Sequence, residues 1–148
     1  MAMPSWRESV AATAIAIPAL KLQLELSFRQ RSKNSVDKIT SAVNGTSVML
    51  DAAVRSSGLA GTFRHVLSVD GVRAYKPSPT VYELGPRAFG VPAGDIVFVS
   101  SNAWDVAGAK AFGYRTCWCN RLAAPMDRLG VSADFEVRTL DEIPGKLG

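Results

Sequence analysis

Residues 97–105 read Val97-Phe98-Val99-Ser100-Ser101-Asn102-Ala103-Trp104-Asp105. A continuous apolar run enters a cluster of small polar groups and ends on a carboxylate. A buried strand of a parallel sheet looks like this. Such a sheet displays its chemistry where strands give way to loops at their carboxyl ends. The stretch therefore predicts an α/β protein, with Asp105 near the start of a helix that follows a central strand.

The flanking sequence repeats the pattern. Downstream, a helix over 106–112 stops at Gly113, and a strand follows at 115–119. A short strand over 133–137 and a short helix over 140–146 complete that side. Upstream, Thr46 or Ser47 caps a helix running to about Ser56, with Gly58 beyond it. Val66–Val69 is a short strand. A helix then opens at Pro79, carries Val81, Leu84, Ala88 and Phe89, and stops at Gly90. Pro86 lies inside it and is expected to kink or weaken it. Helices alternating with strands at this spacing give a parallel sheet with helices on its faces.

The first 40 residues differ. Leu20, Leu22, Leu24 and Leu26 alternate with polar residues, a period-2 strand signal, and residues 30–38 are polar. The chain is read as a poorly defined segment, 1–40, and an α/β unit, 41–148.

Composition narrows the class. With 148 residues the chain can bury a core, and a net charge of +4 is only mildly basic. Nucleic-acid binding would need the basic residues concentrated with aromatics among them, and here they are scattered. The apolar run from Ala11 to Leu20 is interrupted by Pro18 and too short to span a bilayer. No membrane partner is expected, and the run is not expected to act as a signal peptide, since Glu8 follows Arg7 and no clean cleavage site appears. Cys117 and Cys119 match neither zinc nor redox spacing and are read as reduced packing residues, which suits the cytoplasm.

Seven polar groups fall at or just after strand ends or in their connecting loops: Asn44, Lys76, Tyr82, Ser100, Ser101, Asn102 and Asp105. In an open parallel sheet they converge on one crevice. A fixed cation such as Lys76 keeps a neighbouring carboxylate ionised. Asp105 can orient or deprotonate a water. Asn44, Ser100 and Asn102 can donate hydrogen bonds to an anion. Each has a plainer reading. Asp105 can serve as a helix cap and Lys76 as a solvated loop residue. Tyr82 can be a half-buried helix residue, Trp104 core or pocket wall, and Asn44-Gly45 a turn. His65, the sole histidine, lies outside the set and is read as structural.

Taken together, certain stretches resemble the haloacid dehalogenase superfamily, in its L-2-haloacid dehalogenase (type II) branch. They are Tyr75-Lys76-Pro77-Ser78-Pro79, Val81-Tyr82-Glu83-Leu84, Ser100 to Asp105, the run from Asp105 to Arg115, the pair Asn120-Arg121, and His65 to Asp70. The likeness covers roughly residues 43–148. It implies a partial Rossmann-like parallel sheet with flanking helices, and hydrolysis of (S)-2-haloalkanoic acids to (R)-2-hydroxy acids through an aspartyl ester. It assigns Lys76 to support of the nucleophile, and Ser100, Asn102 and Asp105 to the surroundings of nucleophile and water. Asn44 falls near the departing halide, Tyr82 behind the site, and Trp104 in the pocket wall. The family's phosphatases carry an acid at position 101 to help hold magnesium. Ser101 is neutral, so neither a metal nor another cofactor is expected. A small 2-haloacid is the implied partner, and homodimers occur among relatives.

The sequence departs from the family in two places. Val43 stands where the family has a serine for the substrate carboxylate. More seriously, no Asp-x-x-Gly-Thr loop, the family's nucleophile site, occurs in residues 1–40, where Asp37 is the only aspartate. The helical cap segment is also missing. The expectation is a chain truncated or rearranged at its N-terminus and inactive by itself. The alternatives are a non-catalytic fragment or binding module, and a magnesium-dependent phosphatase.

Overall fold

A computed structural model describes residues 26–29, 39–43, 46–56, 60 and 65–146. Within these, β1 (Leu26–Arg29) and β2 (Ile39–Val43) precede α1 (Ser47–Ser56) and β3 (His65–Ser68). Two short helices follow, α2 (Pro79–Tyr82) and α3 (Leu84–Phe89). Then come β4 (Ile96–Ser100), α4 (Ala103–Phe112), β5 (Arg115–Cys119), β6 (Phe135–Val137) and α5 (Ile143–Lys146). Single 3-10 turns occupy Val69–Val72, Ala93–Asp95 and Leu140–Glu142.

The strands form one sheet in the order β3-β2-β1-β4-β5-β6. The pairs β4–β5 and β5–β6 are parallel, as the sequence predicts, and so is β2–β3, although the sequence reading places no strand at 39–43. β1 runs antiparallel to both its neighbours, with Leu26 opposite Ser41 and Val99. Five strands therefore point one way, and one central strand opposes them. The boundary read near residue 40 falls inside β2, and β1 is paired within the same sheet. The strand signal at 20–26 lies outside the described residues except for Leu26.

β4 anchors the core. Every residue of Ile96–Ser100 is buried, with β1 and β5 along its edges and α4 packed against it. Ile96 and Phe98 share one face and pack with Tyr82, Phe89, Ala109 and Tyr114. Burying one such aromatic contributes roughly 1.5–3 kcal/mol.

Most helix boundaries shift little from expectation. Thr46 caps α1 by accepting the Met49 N–H at 3.3 Å; Gly58 lies outside the described residues. The helix predicted over 106–112 begins one turn earlier, at Ala103, with Asn102 at its N-cap. The helix predicted from Pro79 to Phe89 divides at Glu83. The break has a local cause. Pro86 has no N–H to give, so it is tolerated only in the first turn of a helix. Starting α3 at Leu84 puts it there. Gly90 and Gly113 end their helices with positive φ (69° and 117°), which glycine adopts without strain.

Candidate active site

The carboxyl end of β4 opens into Ser100-Ser101-Asn102 and then α4. Ser100 is buried, and its Oγ accepts the Asn102 N–H at 3.1 Å. This short turn aims the first turn of α4 back at the loop before α2. Asn102 is half-buried and caps α4 through its carbonyl, which accepts the Val106 N–H. Ser101 is exposed, and its carbonyl accepts the Trp118 indole N–H at 3.2 Å from β5. Trp104 is half-buried.

Asp105 is the third residue of α4 and fully buried. It does not cap the helix. Its Oδ1 accepts the Tyr82 phenol at 2.7 Å, and its Oδ2 lies 3.5 Å from Lys76 Nζ. The helix-cap reading of Asp105 and the solvated-loop reading of Lys76 both fail. So does the half-buried reading of Tyr82, which is buried. A carboxylate in the first helical turn also sits in the favourable field of the helix N-terminus.

Lys76 Nζ lies over the Phe98 ring, 4.9 Å from its centroid, and 5.7 Å from that of Tyr82. Burial pulls the lysine down from its usual 10.5 to about 8, partly opposed by the Asp105 charge. Burial and the adjacent Asp105 push the Tyr82 phenol well above its usual range. The phenol thus stays a hydrogen-bond donor at any physiological pH. The arrangement can keep a cation and a carboxylate in a dry cleft, each held in one orientation.

The structure brings Lys76, Tyr82 and Asp105 into direct contact and sets Ser100 and Asn102 at the turn beside them. Asn44 lies outside the described residues. His65 starts β3, and its side chain is not among those described. Sequence reading missed Tyr114 and Phe98 as parts of this surrounding. Tyr114 precedes β5, at the end of the sheet where polar residues carry no signal of chemistry. The available hint was the pair of helix glycines, Gly85 and Gly108.

The sequence matches the haloacid dehalogenase-like hydrolases over residues 28–113. This chain belongs to that family. The match starts earlier than the likeness read from motifs, which began near residue 43. The chain is 52% identical over 100 residues to haloacetate dehalogenase H-2 of Moraxella sp. (strain B), covering 68% of this chain and 45% of that protein. It is 46% identical over 103 residues to an (S)-2-haloacid dehalogenase of Pseudomonas sp. (strain YL), covering 70% and 44%. Its fold superposes on a crystal structure of an L-2-haloacid dehalogenase with a TM-score of 0.72 at 45% identity, covering 74% of this chain and 48% of that one. The chain spans about half the length of the curated relatives it matches.

Proposed function

We propose that this chain carries the supporting side of a 2-haloacid dehalogenase site. The observation that carries the reading is the buried Lys76–Asp105 pair, braced by Tyr82, at the carboxyl end of β4. In the proposed reaction a carboxylate oxygen attacks C2 of an (S)-2-haloalkanoic acid. The carbon–halogen bond breaks, halide leaves with the bonding pair, and C2 inverts. Water then cleaves the resulting ester at its acyl carbon, releasing the (R)-2-hydroxy acid and regenerating the carboxylate.

The proposed roles rest on the family likeness and agree with the chemistry of each group. Lys76 holds the attacking carboxylate ionised by its charge. Asp105 orients the lysine and takes up the proton of the hydrolytic water. Ser100 and Asn102 fix that water and the ester carbonyl. The family likeness gives Asn44 to the departing halide and Trp104 to the pocket wall. Ser101 presents a neutral hydroxyl where a hard cation would want a carboxylate, which weighs against a magnesium phosphatase.

The attacking carboxylate is not assigned to this chain. β1 runs against the other strands, so its carboxyl end lies away from the carboxyl end of β4. The proposal is that the chain alone does not turn over. Halide release from (S)-2-chloropropionate tests it: no release from the chain alone, and release when a relative's N-terminal half is supplied in trans. Turnover by the chain alone that is abolished in Lys76→Met would show that the chain has its own nucleophile. Turnover that survives both Lys76→Met and Asp105→Asn would sink the site. A homodimer rests on the family likeness and a cytoplasmic location on the reduced cysteines; light scattering checks the first and fractionation the second.

A further inference from the structure

We propose that Tyr114, Gly85 and Gly108 are positioning residues for the Lys76–Asp105 pair, acting through Tyr82. The inference deepens the site reading above, and it rests on that reading only in treating the pair as functional.

Tyr82 is gripped at two points. Its phenol donates to Asp105 Oδ1 at 2.7 Å. Its main-chain carbonyl accepts the hydroxyl of Tyr114, a residue 32 positions away. Tyr82 is the last residue of α2, where carbonyls lose their partners within the helix. Tyr114 supplies one. It can do so because Gly113, at φ 117°, ends α4 and turns the chain sharply. Tyr114 is buried and packs edge-on to Tyr82, with ring centroids 6.4 Å apart. The point at which α2 ends, and thus the position of the Tyr82 ring, is set from the start of β5.

The two glycines show that the hydroxyls need their space. Gly85 lies in α3 and Gly108 in α4, and glycine is a poor helix former beside alanine. Neither has the positive φ that would otherwise call for glycine. A Cβ on Gly108 would lie 2.5 Å from the Tyr82 hydroxyl, and one on Gly85 would collide with the Tyr114 hydroxyl. Each glycine clears room for one link of the same path, which runs from Tyr114 through Tyr82 to Asp105 and Lys76.

Among the described residues, the groups facing Lys76 include Asp105 from α4, the Tyr82 ring and phenol from α2, and the Phe98 ring from β4. A phenol that donates to Asp105 draws off part of the charge that would hold the lysine's proton. Withdrawing it therefore raises the affinity of Lys76 for that proton.

The full chain with 13C-labelled lysine gives the Lys76 titration by NMR, with Lys76→Arg assigning the signal. Gly108→Ala and Tyr114→Phe are each expected to raise its midpoint by about half a pH unit or more. Val137→Ala, a buried change on β6, should lower the melting temperature and leave the midpoint where it was. Midpoints unmoved in both site variants, or moved equally by Val137→Ala, would overturn the proposal. A second measurement guards against loss of folding. Gly108→Ala should lower the melting temperature markedly in the wild-type chain and much less in a Tyr82→Phe background, where no hydroxyl is met. Equal losses in the two backgrounds would overturn the proposal as well. Halide release is a separate reading. Its failure strikes the proposed reaction and leaves these two tests standing.

Discussion

Lys76 and Asp105 face each other across 3.5 Å with side chains 1% and 0% exposed. A pair this dry is a poor way to stabilise a fold, because the loss of hydration can exceed the attraction gained. Breaking it is costly all the same, since the survivor loses its ion partner in a site that water does not reach. Lys76→Met and Asp105→Leu are each expected to destabilise the chain by about 3–5 kcal/mol. The double variant should recover most of that loss. Urea unfolding of the four chains measures the difference, and a double variant as unstable as the sum of the singles would contradict it.

The depressed lysine gives the pair a pH signature. Lys76 drops to about 8 in the folded chain against 10.5 in a free side chain. Between those values the unfolded chain binds the extra proton, so this group makes stability rise with pH. The slope reaches at most about 1.4 kcal/mol per pH unit. Burial holds the Cys117 thiol and the Tyr82 and Tyr114 phenols protonated longer than in the unfolded chain. Those groups make stability fall at higher pH, which opposes the lysine. Lys76→Met isolates the lysine term: wild-type stability relative to this variant should climb from pH 8 to 10. A flat difference would mean that the lysine is not held low.

Asp134, just before β6, accepts the Thr116 N–H of β5 at 2.7 Å and the Thr116 hydroxyl at 3.1 Å, and it pairs with Lys110 of α4. Burial pushes this carboxyl up, but the hydrogen bonds from Lys110 and Thr116 bring it below its usual value. Its contribution is thus fully present above the ordinary carboxylate range and is lost as pH falls through the lowered value. Asp134→Ala should cost about 1 kcal/mol, and hydrogen exchange at the Thr116 amide should speed up. Unchanged protection of that amide would refute the role given to Asp134.

Asn120 closes the turn after β5 on itself. Its Nδ2 donates to the Ala124 carbonyl at 2.9 Å and to Glu136 Oε1 at 2.8 Å, while its Oδ1 accepts the Ala124 N–H. Asn120→Asp removes both donors and sets a second carboxylate against Glu136. It is expected to destabilise by roughly 2 kcal/mol near neutral pH and by less at pH 4, where the introduced aspartyl group, set against a second acid, takes up a proton. Thermal melts at the two pH values read this directly, and equal losses at both would remove the charge argument.

Much of this site can be read in the residues. The turn from Val99 through Asn102, the Lys76-Pro77-Ser78-Pro79 loop and Tyr82 are all local signals, and the parallel sheet brings them together. Three features escape such reading. Asp105 looks the same in sequence whether it caps a helix or is buried in its first turn, because the difference lies in where α4 starts. The division at Glu83 depends on where α3 can accommodate Pro86, a matter of a single residue in register. The direction of β1 is set by its neighbours, since a four-residue strand has the same alternation read either way. Tyr114 was hidden for another reason: its partner is a main-chain carbonyl, which every residue carries.

Cys117 and Cys119, two apart on β5, lie on one face of the sheet, and both are buried thiols outside any disulfide. Burial also holds the Cys117 thiol protonated. A thiol reagent therefore finds them only in molecules that have opened. The chain thus contains its own gauge of how often the sheet comes apart, and that gauge works whether or not the crevice turns over any substrate.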